Sequence, residues 1–381
     1  MNIQNYGRLH QLEEGAVASL SIVPREPVAT LPAYSAGSAA PASLKFTSYK
    51  LSSNESPLGP VPAAAMAASS VTSLNRYPNP GAELLREALA DHLAVPFDDI
   101  VAGAGSLGAL TQIVSAFAGT NSNGTLDEVI YSWRSFEAYP IVVRTAGAKP
   151  VEVPNDEDGS HDLEAMSSAV TQRTKIIILC TPNNPTGPAL THAEIVAFLD
   201  SIPRHVVVVI DEAYHEFVRS PDPVETLKIY FQHPNVAVLR TFSKAHGLAA
   251  LRVGYSIAQN EITQHLRKTA TTFAVSSVAE SAAIASLEHY DQVNGHVSEI
   301  VKERNRVTTA LSGDGWAIPS AQGNFVWLPL GAKSLDFSKA AWREGLAVRA
   351  FDGEGVRVTI GEYEANSRII ELCRAYMALD N

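Results

Sequence analysis

The sequence of 381 residues has few cysteines, few charges and no long apolar run. Its two cysteines, Cys180 and Cys373, cannot build a disulfide framework, and no spacing resembles a zinc site, so we expect no metal and a reducing, cytoplasmic location. The longest apolar stretches, such as 206–210, are far shorter than a membrane span. The N-terminus lacks the basic and apolar regions of a secretory signal, so we expect neither secretion nor a membrane partner.

Basic residues are also scarce. Lysine and arginine number 29 against 40 aspartate and glutamate residues, which gives a formal net charge of −11. A chain this acidic is a poor ligand for nucleic acid or anionic lipid, so we expect neither as a partner. Hydrophobic residues make up 46% of the chain, enough for a sizeable core. The length suits two or three packed units of a globular enzyme.

Four prolines interrupt residues 1–48, which we predict to be an irregular N-terminal arm. Beyond it, short runs rich in β-branched residues alternate with helical patterns, which indicates an α/β fold with a mostly parallel central sheet. The predicted strands are 100–101, 129–131, 176–180, 206–210 and 236–239, and the predicted helices are 81–94, 109–118 and 191–200. Longer helices (261–272, 278–310) and strands near 324–329, 346–350 and 356–360 follow. We therefore predict a large domain over 49–262 and a smaller α+β domain over 263–381.

Polar residues follow the predicted strands, and open α/β sheets bind their ligands at the carboxyl ends of strands. Residues 181–187 (TPNNPTG) form a rigid turn that carries Asn184, although a plain turn has the same composition. Asp211 ends the next strand and either points into a site or caps a helix. Lys244 lies in a segment that is too apolar and glycine-rich for a solvated face. A lysine shielded from water has a lowered pKa and can act as an amine nucleophile.

Residues 103–108 match the pattern G-x-G-x-x-G before a helix. A nicotinamide site would need an acidic residue after the next strand, but Asp127 and Glu128 precede strand 129–131. The backbone N–H groups at the start of a helix can still hold one phosphate. We interpret the turn as a cradle for a single phosphate, and a nicotinamide-dependent oxidoreductase stays open as an alternative.

Together these segments supply an amine, an acid, a phosphate cradle and a tyrosine. Pyridoxal 5′-phosphate requires that set. Its aldehyde reacts with a lysine, its ring nitrogen needs a carboxylate, and its phosphate needs N–H, hydroxyl and guanidinium donors. The residues that offer these groups are Lys244, Asp211, Arg252 and Tyr214.

The motifs TPNNPTG, DEAYHEF, TFSKAHGLAALRVGY and VRVTIG occur in this order. Through them the chain resembles the fold-type I pyridoxal-phosphate-dependent aminotransferases of the histidinol-phosphate/aromatic (phenylalanine) aminotransferase family, from about residue 28 onward. The resemblance implies that Lys244 binds the cofactor covalently and moves the substrate's proton. It also implies that Asp211 pairs with the ring nitrogen and that Asn184 and Tyr214 bond the ring oxygen. Further cofactor contacts would come from Ser106, Leu107, Phe136, Thr241, Ser243 and Arg252.

The resemblance also extends to the subunits and the substrate. Tyr77 matches a tyrosine that reaches the cofactor phosphate of the neighbouring subunit, which implies a homodimer with shared sites. Arg357 matches the arginine that binds the substrate carboxylate. Asn54 and Tyr34 match positions near the substrate, which would be an amino acid or a 2-oxo acid.

Three segments bear on which amino acid is used. Ser106-Leu107-Gly108 departs from the Ser-Asp-Glu or Ser-Asn-Glu of many histidinol-phosphate enzymes, while 133–140 (WRSFEAYP) and 50–57 (KLSSNESP) are similar to an actinobacterial aromatic branch. We therefore expect an aromatic amino acid aminotransferase with a 2-oxo acid such as 2-oxoglutarate as acceptor. Histidinol-phosphate aminotransferase of histidine biosynthesis is the alternative, with Arg349 as the candidate cation for a second phosphate. A decarboxylase, a C–S lyase and a ligand-sensing regulator of the same fold also stay open.

Overall fold

The computed structural model describes residues 23–33, 37 and 47–378. Contacts divide the chain into two units after Ala33. The described part of the first unit holds a short helix, α1 (Glu26–Ala29), with a proline in its first turn, where a missing N–H costs nothing. The rest of the predicted arm, apart from residues 37, 47 and 48, lies outside the described residues.

The second unit, from Tyr34 onward, contains the sheets. In chain order its strands are β1 (Tyr49–Lys50), β2 (Ile100–Gly103), β3 (Glu128–Trp133), β4 (Lys149–Pro154), β5 (Thr174–Cys180), β6 (Val207–Asp211), β7 (Val236–Thr241), β8 (Gly254–Ala258), β9 (Phe325–Leu328), β10 (Leu346–Ala347), β11 (Arg349–Phe351) and β12 (Gly355–Thr359). The central sheet has seven strands in the order β2-β8-β7-β6-β5-β3-β4, and only β8 runs antiparallel to its neighbours. The predicted α/β class is therefore confirmed.

The helices of the second unit pack on the two faces of this sheet, on the smaller sheets and on one another. They are α2 (Pro62–Ser69), α3 (Glu83–Leu93), α4 (Gly105–Phe117), α5 (Ala138–Ala146), α6 (Leu163–Ser168), α7 (His192–Ser201), α8 (Thr226–Gln232), α9 (Asn260–Thr269), α10 (Ser277–Glu288), α11 (Tyr290–Gly313), α12 (Ser334–Arg343) and α13 (Tyr363–Ala378). The start of α7 shows why the boundaries fall where they do. The Thr191 side chain accepts from the Glu194 amide, and Glu194 accepts from the Thr191 amide, which forms a capping box. None of the helices in residues 23–33 and 47–378 is long and apolar enough to cross a bilayer.

The central strands are apolar on both faces because each face is covered. Ile176 and Ile178 of β5 pack into one buried cluster with Val207 and Val209, whereas the alternate residues 177, 179, 208 and 210 pack into the other. Successive side chains of a strand point to opposite faces, so one continuous apolar run contributes side chains to two hydrophobic cores. The sequence prediction missed β4 and β8. β4 contains two prolines, which a strand tolerates at the sheet edge where it lies.

The last third of the chain differs from the sequence prediction in two places. The predicted helix 278–310 is wrong as a single element, because it breaks at His289 into α10 and α11. α10 packs on α2 and α3, whereas α11 packs on α13. The two helices on either side of His289 therefore pack on different partners. The predicted strand 346–350 is likewise two strands. β10 pairs with β1, and β11 joins the three-stranded sheet β11-β12-β9.

The register brings the glycine turn to the end of β7. Thr241 pairs with Gly254 of β8, and Gly254 pairs with Gly103 at the end of β2. Cys180, Asp211 and Leu239 lie side by side in β5, β6 and β7. Polar residues from segments more than a hundred positions apart therefore meet at the carboxyl edge of the sheet. The predicted division between domains at residue 262 stays a prediction.

Candidate active site

A cavity of about 280 Å³ opens at this edge of the sheet. It is bounded by loops of the central sheet, by the small sheet and by Ser52, Ser53 and Glu55. Of the residues that the sequence singles out, it gathers Ser106, Leu107, Phe136, Asn184, Asp211, Tyr214, Thr241, Ser243, Lys244, Arg252, Arg349 and Arg357. Arg349, whose orientation the sequence leaves open, thus lines the cavity.

The three other candidates lie elsewhere or cannot be placed. Asn54 is buried behind the lining, where its Nδ2 donates to the Tyr214 hydroxyl at 3.0 Å. Tyr77 is 83% exposed, and its ring stacks on Phe273 with the centroids 4.6 Å apart. Tyr34 lies outside the described residues.

Lys244 projects its amine into the cavity from the loop after β7. Its Nζ donates to the Ser53 carbonyl oxygen at 2.9 Å and lies 5.8 Å from the centre of the Tyr214 ring. Desolvation, reinforced by the positive charge of Arg357, lowers the pKa of Lys244 to about 7. A large fraction of the amine is therefore neutral near pH 7 and can act as a nucleophile or a base.

Asp211 is the last residue of β6 and is only 6% exposed. The Tyr139 hydroxyl donates to its Oδ2 at 2.8 Å, whereas Oδ1 is buried and has no hydrogen-bond partner among the described residues. Burial raises the pKa of Asp211 to about 6, and the bond from Tyr139 partly opposes that shift. A buried carboxylate oxygen with no donor fits a protonated ring nitrogen placed in the cavity.

Arg357 connects three segments of the chain at one end of the cavity. Its Nη1 donates to the Asn184 side-chain oxygen, and its Nη2 donates to the Ser52 carbonyl oxygen at 2.6 Å. The Tyr214 hydroxyl lies beside them, held by Asn54, and burial raises the pKa of Tyr214 well above its usual range. Tyr214 therefore stays a neutral hydroxyl that can donate a hydrogen bond.

The glycine turn shapes the opposite end of the cavity. Gly105, at a φ of +74°, begins α4, and a Cβ on it would lie 2.5 Å from Arg252 Nη2. Arg252 Nη1 donates to the Ser243 hydroxyl at 3.2 Å, and Ser243 and Thr241 line the cavity beside the first turn of α4. A guanidinium, two hydroxyls and a helix N-terminus together form a site for one phosphate.

Sequence reasoning missed several residues that contact this site. Tyr139 has no assigned role in the motif WRSFEAYP, although it is one helical turn beyond Phe136, and the two rings meet edge to face at 5.6 Å. Ser52 and Ser53 contribute backbone carbonyls, which leave no signal in side-chain identity. Phe351 and Glu137 line the cavity wall near Arg349. Glu137 directly follows the candidate Phe136 in the sequence, which could have suggested it, but its pairing with Arg349 depends on the tertiary fold.

Comparison with known proteins identifies the family. The family model described as aminotransferase class I and II matches residues 47–371. The chain belongs to this family. A protein named aromatic amino acid aminotransferase from Streptomyces avermitilis is 47% identical over 347 residues, which cover 91% of this chain and 95% of the relative. One of the same name from Thermobifida fusca is 49% identical over 330 residues, covering 86% and 90%.

Solved structures agree with that membership. Histidinol-phosphate aminotransferase from Sinorhizobium meliloti, in complex with pyridoxal 5′-phosphate, superposes with a TM-score of 0.79 at 26% identity and covers 95% of this chain and 98% of its own. A putative histidinol-phosphate aminotransferase from Erwinia carotovora gives a TM-score of 0.80 at 25% identity, covering 88% and 99%. The resemblance found in the sequence is confirmed, and the comparisons support it rather than the nicotinamide alternative for residues 103–108.

Aminotransferases of this family use pyridoxal phosphate, and the cavity fits that cofactor at three points. The open Oδ1 of Asp211 suits the ring nitrogen, the neutral amine of Lys244 suits the aldehyde, and the cradle around Arg252 suits the phosphate. Cofactors of this type supply the electron sink, while the protein supplies binding, orientation and proton transfer.

Proposed function

We propose that this aminotransferase moves an amino group between an aromatic amino acid of the phenylalanine or tyrosine type and a 2-oxo acid such as 2-oxoglutarate. The observation that carries the chemistry is a desolvated Lys244 amine in the same cavity as the open carboxylate oxygen of Asp211. The observations that favour an aromatic substrate are the Phe351 ring in the wall and the names of relatives that are 47–49% identical.

Five of the lining residues have roles toward the cofactor in this proposal. Pyridoxal phosphate, when bound, supplies the electron sink that makes the substrate's α-proton acidic. Lys244 Nζ, neutral near pH 7, then accepts that proton. With the cofactor bound, Asp211 would stabilise the positive charge on its ring nitrogen, and Asn184 and Tyr214 would donate to its ring oxygen. Phe136 would stack on the ring.

Substrate binding in the proposal depends on Arg357. Its planar guanidinium can hold a carboxylate with two parallel hydrogen bonds, and the existing bonds to Asn184 and Ser52 fix its orientation. Asn54 supports the same end of the cavity through Tyr214. The place of Tyr34 near the substrate stays a prediction, because this residue lies outside the described residues.

We also infer that two copies form a dimer with shared sites. Tyr77 does not contact the cavity of its own chain, and Leu74, Met66 and Tyr77 expose large apolar side chains on neighbouring segments. A homodimer in which Tyr77 reaches the partner's phosphate cradle accounts for this exposure. Sedimentation of the purified protein should give twice the chain mass, and a stable monomer with full activity would contradict it. The cytoplasmic location stays a prediction.

A substrate panel tests the proposed reaction. Phenylalanine, tyrosine and histidinol phosphate are compared, each with 2-oxoglutarate, by kcat/KM. We expect the two aromatic amino acids to exceed histidinol phosphate, with one 2-oxo acid formed for each glutamate. Carbon dioxide or ammonia in place of glutamate would instead indicate a decarboxylase or a lyase, and a preference for histidinol phosphate would overturn the aromatic assignment.

A further inference from the structure

An ion pair lies in the wall of the cavity, away from the residues assigned to the cofactor. Arg349 Nη2 donates to both carboxylate oxygens of Glu137, at 2.9 and 2.8 Å. Both residues line the cavity, and their side chains are only 15% and 30% exposed. Glu137 precedes α5 and Arg349 begins β11, so the pair joins the central sheet's loop to the small sheet.

The Phe351 ring lies beside this ion pair and also contacts a second arginine, which is likewise paired with a carboxylate. Arg349 Cζ lies 5.5 Å from the centre of the Phe351 ring, and Arg134 Cζ lies 5.3 Å from it. Arg134 Nε in turn donates to Glu354 Oε2 at 2.8 Å. Both arginines that contact the Phe351 ring thus already have a carboxylate partner. The wall is aromatic and nearly neutral rather than cationic.

Of the described cations that line the cavity, Arg349 is the one to which the proposed function gives no role. The proposed function assigns Lys244 and Arg252 to the cofactor and Arg357 to the substrate carboxylate. Glu55, which also lines the cavity, adds a further negative charge and pairs with Lys50 at 2.8 Å. Histidinol phosphate has no carboxylate, so its phosphate would take the place at Arg357. The next guanidinium is that of Arg349, the register partner of Arg357 in β11, which Glu137 already binds.

We propose that Glu137 is a specificity-determining residue that neutralises Arg349 and so excludes substrates that carry a phosphate in place of the α-carboxylate. This inference rests on the proposed aromatic specificity. A phosphate carries between one and two negative charges at neutral pH and needs an available guanidinium fork. Beside Arg357 it would meet an Arg349 that Glu137 already neutralises, whereas the single charge of an amino acid carboxylate needs Arg357 alone. Selection then comes from repulsion of the wrong substrate as well as from attraction of the right one.

Glu137→Gln tests this role because glutamine keeps the size and one acceptor but removes the charge. The measured quantity is the ratio of kcat/KM for histidinol phosphate to kcat/KM for phenylalanine. We expect this ratio to rise about tenfold or more. Glu354→Gln is the matched control, since it neutralises the carboxylate of the other pair, outside the cavity lining, and should move the ratio less than threefold.

A binding measurement separates recognition from turnover. Calorimetric titration of histidinol phosphate into cofactor-loaded Lys244→Ala protein, with and without Glu137→Gln, should show tighter binding with the second substitution. Adding Arg349→Gln should abolish the gain, because the guanidinium that the phosphate would contact is then absent. A gain that persists without Arg349 would contradict the proposed pairing.

The outcomes distinguish this inference from the proposed function. If the wild-type protein prefers histidinol phosphate, the aromatic assignment fails. If the wild-type protein prefers phenylalanine and folded Glu137→Gln protein leaves both the ratio and the binding unchanged, only the role of Glu137 is overturned. Should the glutamine variant not fold, Glu137→Ala removes the same charge, and the same ratio decides.

Discussion

Asp211 and Glu212 are adjacent in the chain and equally buried, at 6% and 3% exposure, yet they face opposite surroundings. Glu212 accepts from the Thr226 hydroxyl at 2.5 Å and from Arg240 Nε at 3.0 Å. Asp211 has one side-chain donor, Tyr139, and its Oδ1 has no hydrogen-bond partner among the described residues. Strand geometry sends the two side chains to different faces, so one carboxylate is saturated by the protein and the other is left for a ligand.

The two faces also differ in what surrounds the carboxylates. Beyond Glu212 lie His215 and His246, whose pKa values burial lowers to about 4 and about 3, so both stay neutral and structural near pH 7. Beyond Asp211 lies Lys244, whose amine is poised to change protonation near pH 7. The difference teaches that burial alone does not mark a functional acid. A functional acid is marked instead by a carboxylate oxygen that lacks a hydrogen-bond partner and faces a cavity.

The largest expected effect comes from removing the amine on the open face. Lys244→Ala should lower kcat by at least ~10²–10⁴-fold, the range that a positioned general base contributes. Borohydride reduction followed by peptide mapping should also lose its labelled peptide. Lys228→Ala is the control, since that lysine's side chain is 65% exposed, and its activity should match the wild type. Labelling that persists in Lys244→Ala would end the assignment of the amine.

The next largest effect separates the two neighbouring acids. Asp211→Asn should lower kcat by roughly 10²–10³-fold, as expected when a group that stabilises developing charge is lost. Glu212→Gln should instead lower the free energy of unfolding by about 3–5 kcal/mol, because the buried Arg240 loses its partner. Kinetics and urea unfolding on both variants measure this. The comparison of the two faces breaks down if Asp211→Asn is the less stable variant and Glu212→Gln the less active one.

A smaller effect on kcat should follow from removing a hydrogen bond to Asp211 while keeping Asp211 itself. Tyr139→Phe deletes the donor to Oδ2 while keeping the ring, so the pKa of Asp211 should rise further. We expect about a tenfold loss of kcat near pH 7 and an acidic limb of the pH–rate profile that moves to higher pH, since one pKa unit corresponds to about tenfold. Tyr230→Phe, which contacts Asp99 rather than Asp211, should leave that limb in place.

The smallest effect concerns stability and pH in the cofactor-free protein. The pKa of Asp211 is raised in the folded state, so between about pH 4 and 6 the folded protein binds more protons than the unfolded one. Stability contributed by this group is present below its unfolded pKa and decreases as pH rises through about 6. Unfolding free energies of wild type and Asp211→Asn across this range should therefore converge at low pH and diverge at neutral pH, with the variant more stable. A constant difference would refute the raised pKa.

Much of the central sheet could be predicted because its signal is local. The runs at 176–180, 206–210 and 236–239 are short, apolar and β-branched, and each corresponds to a strand within two residues. β4 was missed because its prolines contradict an interior strand, and only its edge position permits them. The break at His289 was missed because the helical pattern continues across it and the change of packing partner is not local.

Candidate residues with side-chain chemistry were predictable, and those that act through backbone or pairing were not. Asp211, Lys244 and Arg252 follow from residue type and place after a strand. The Ser53 carbonyl and the Glu137 carboxylate could be found only once distant segments met. Tyr139 lies between these cases, since its motif was recognised but its bond to Asp211 was not.

The sequence by itself determined the alternation of strands and helices, the family and the chemical types present at the strand ends, because these depend on local pattern and residue identity. The tertiary structure alone decided which charges are compensated. Asp211 and Glu212 look alike in sequence, as do Arg349 and Arg357, and only the packed surroundings make one carboxylate open and one guanidinium neutralised. The physical reason is that a charge's pKa and availability depend on burial and on partners supplied by distant parts of the chain.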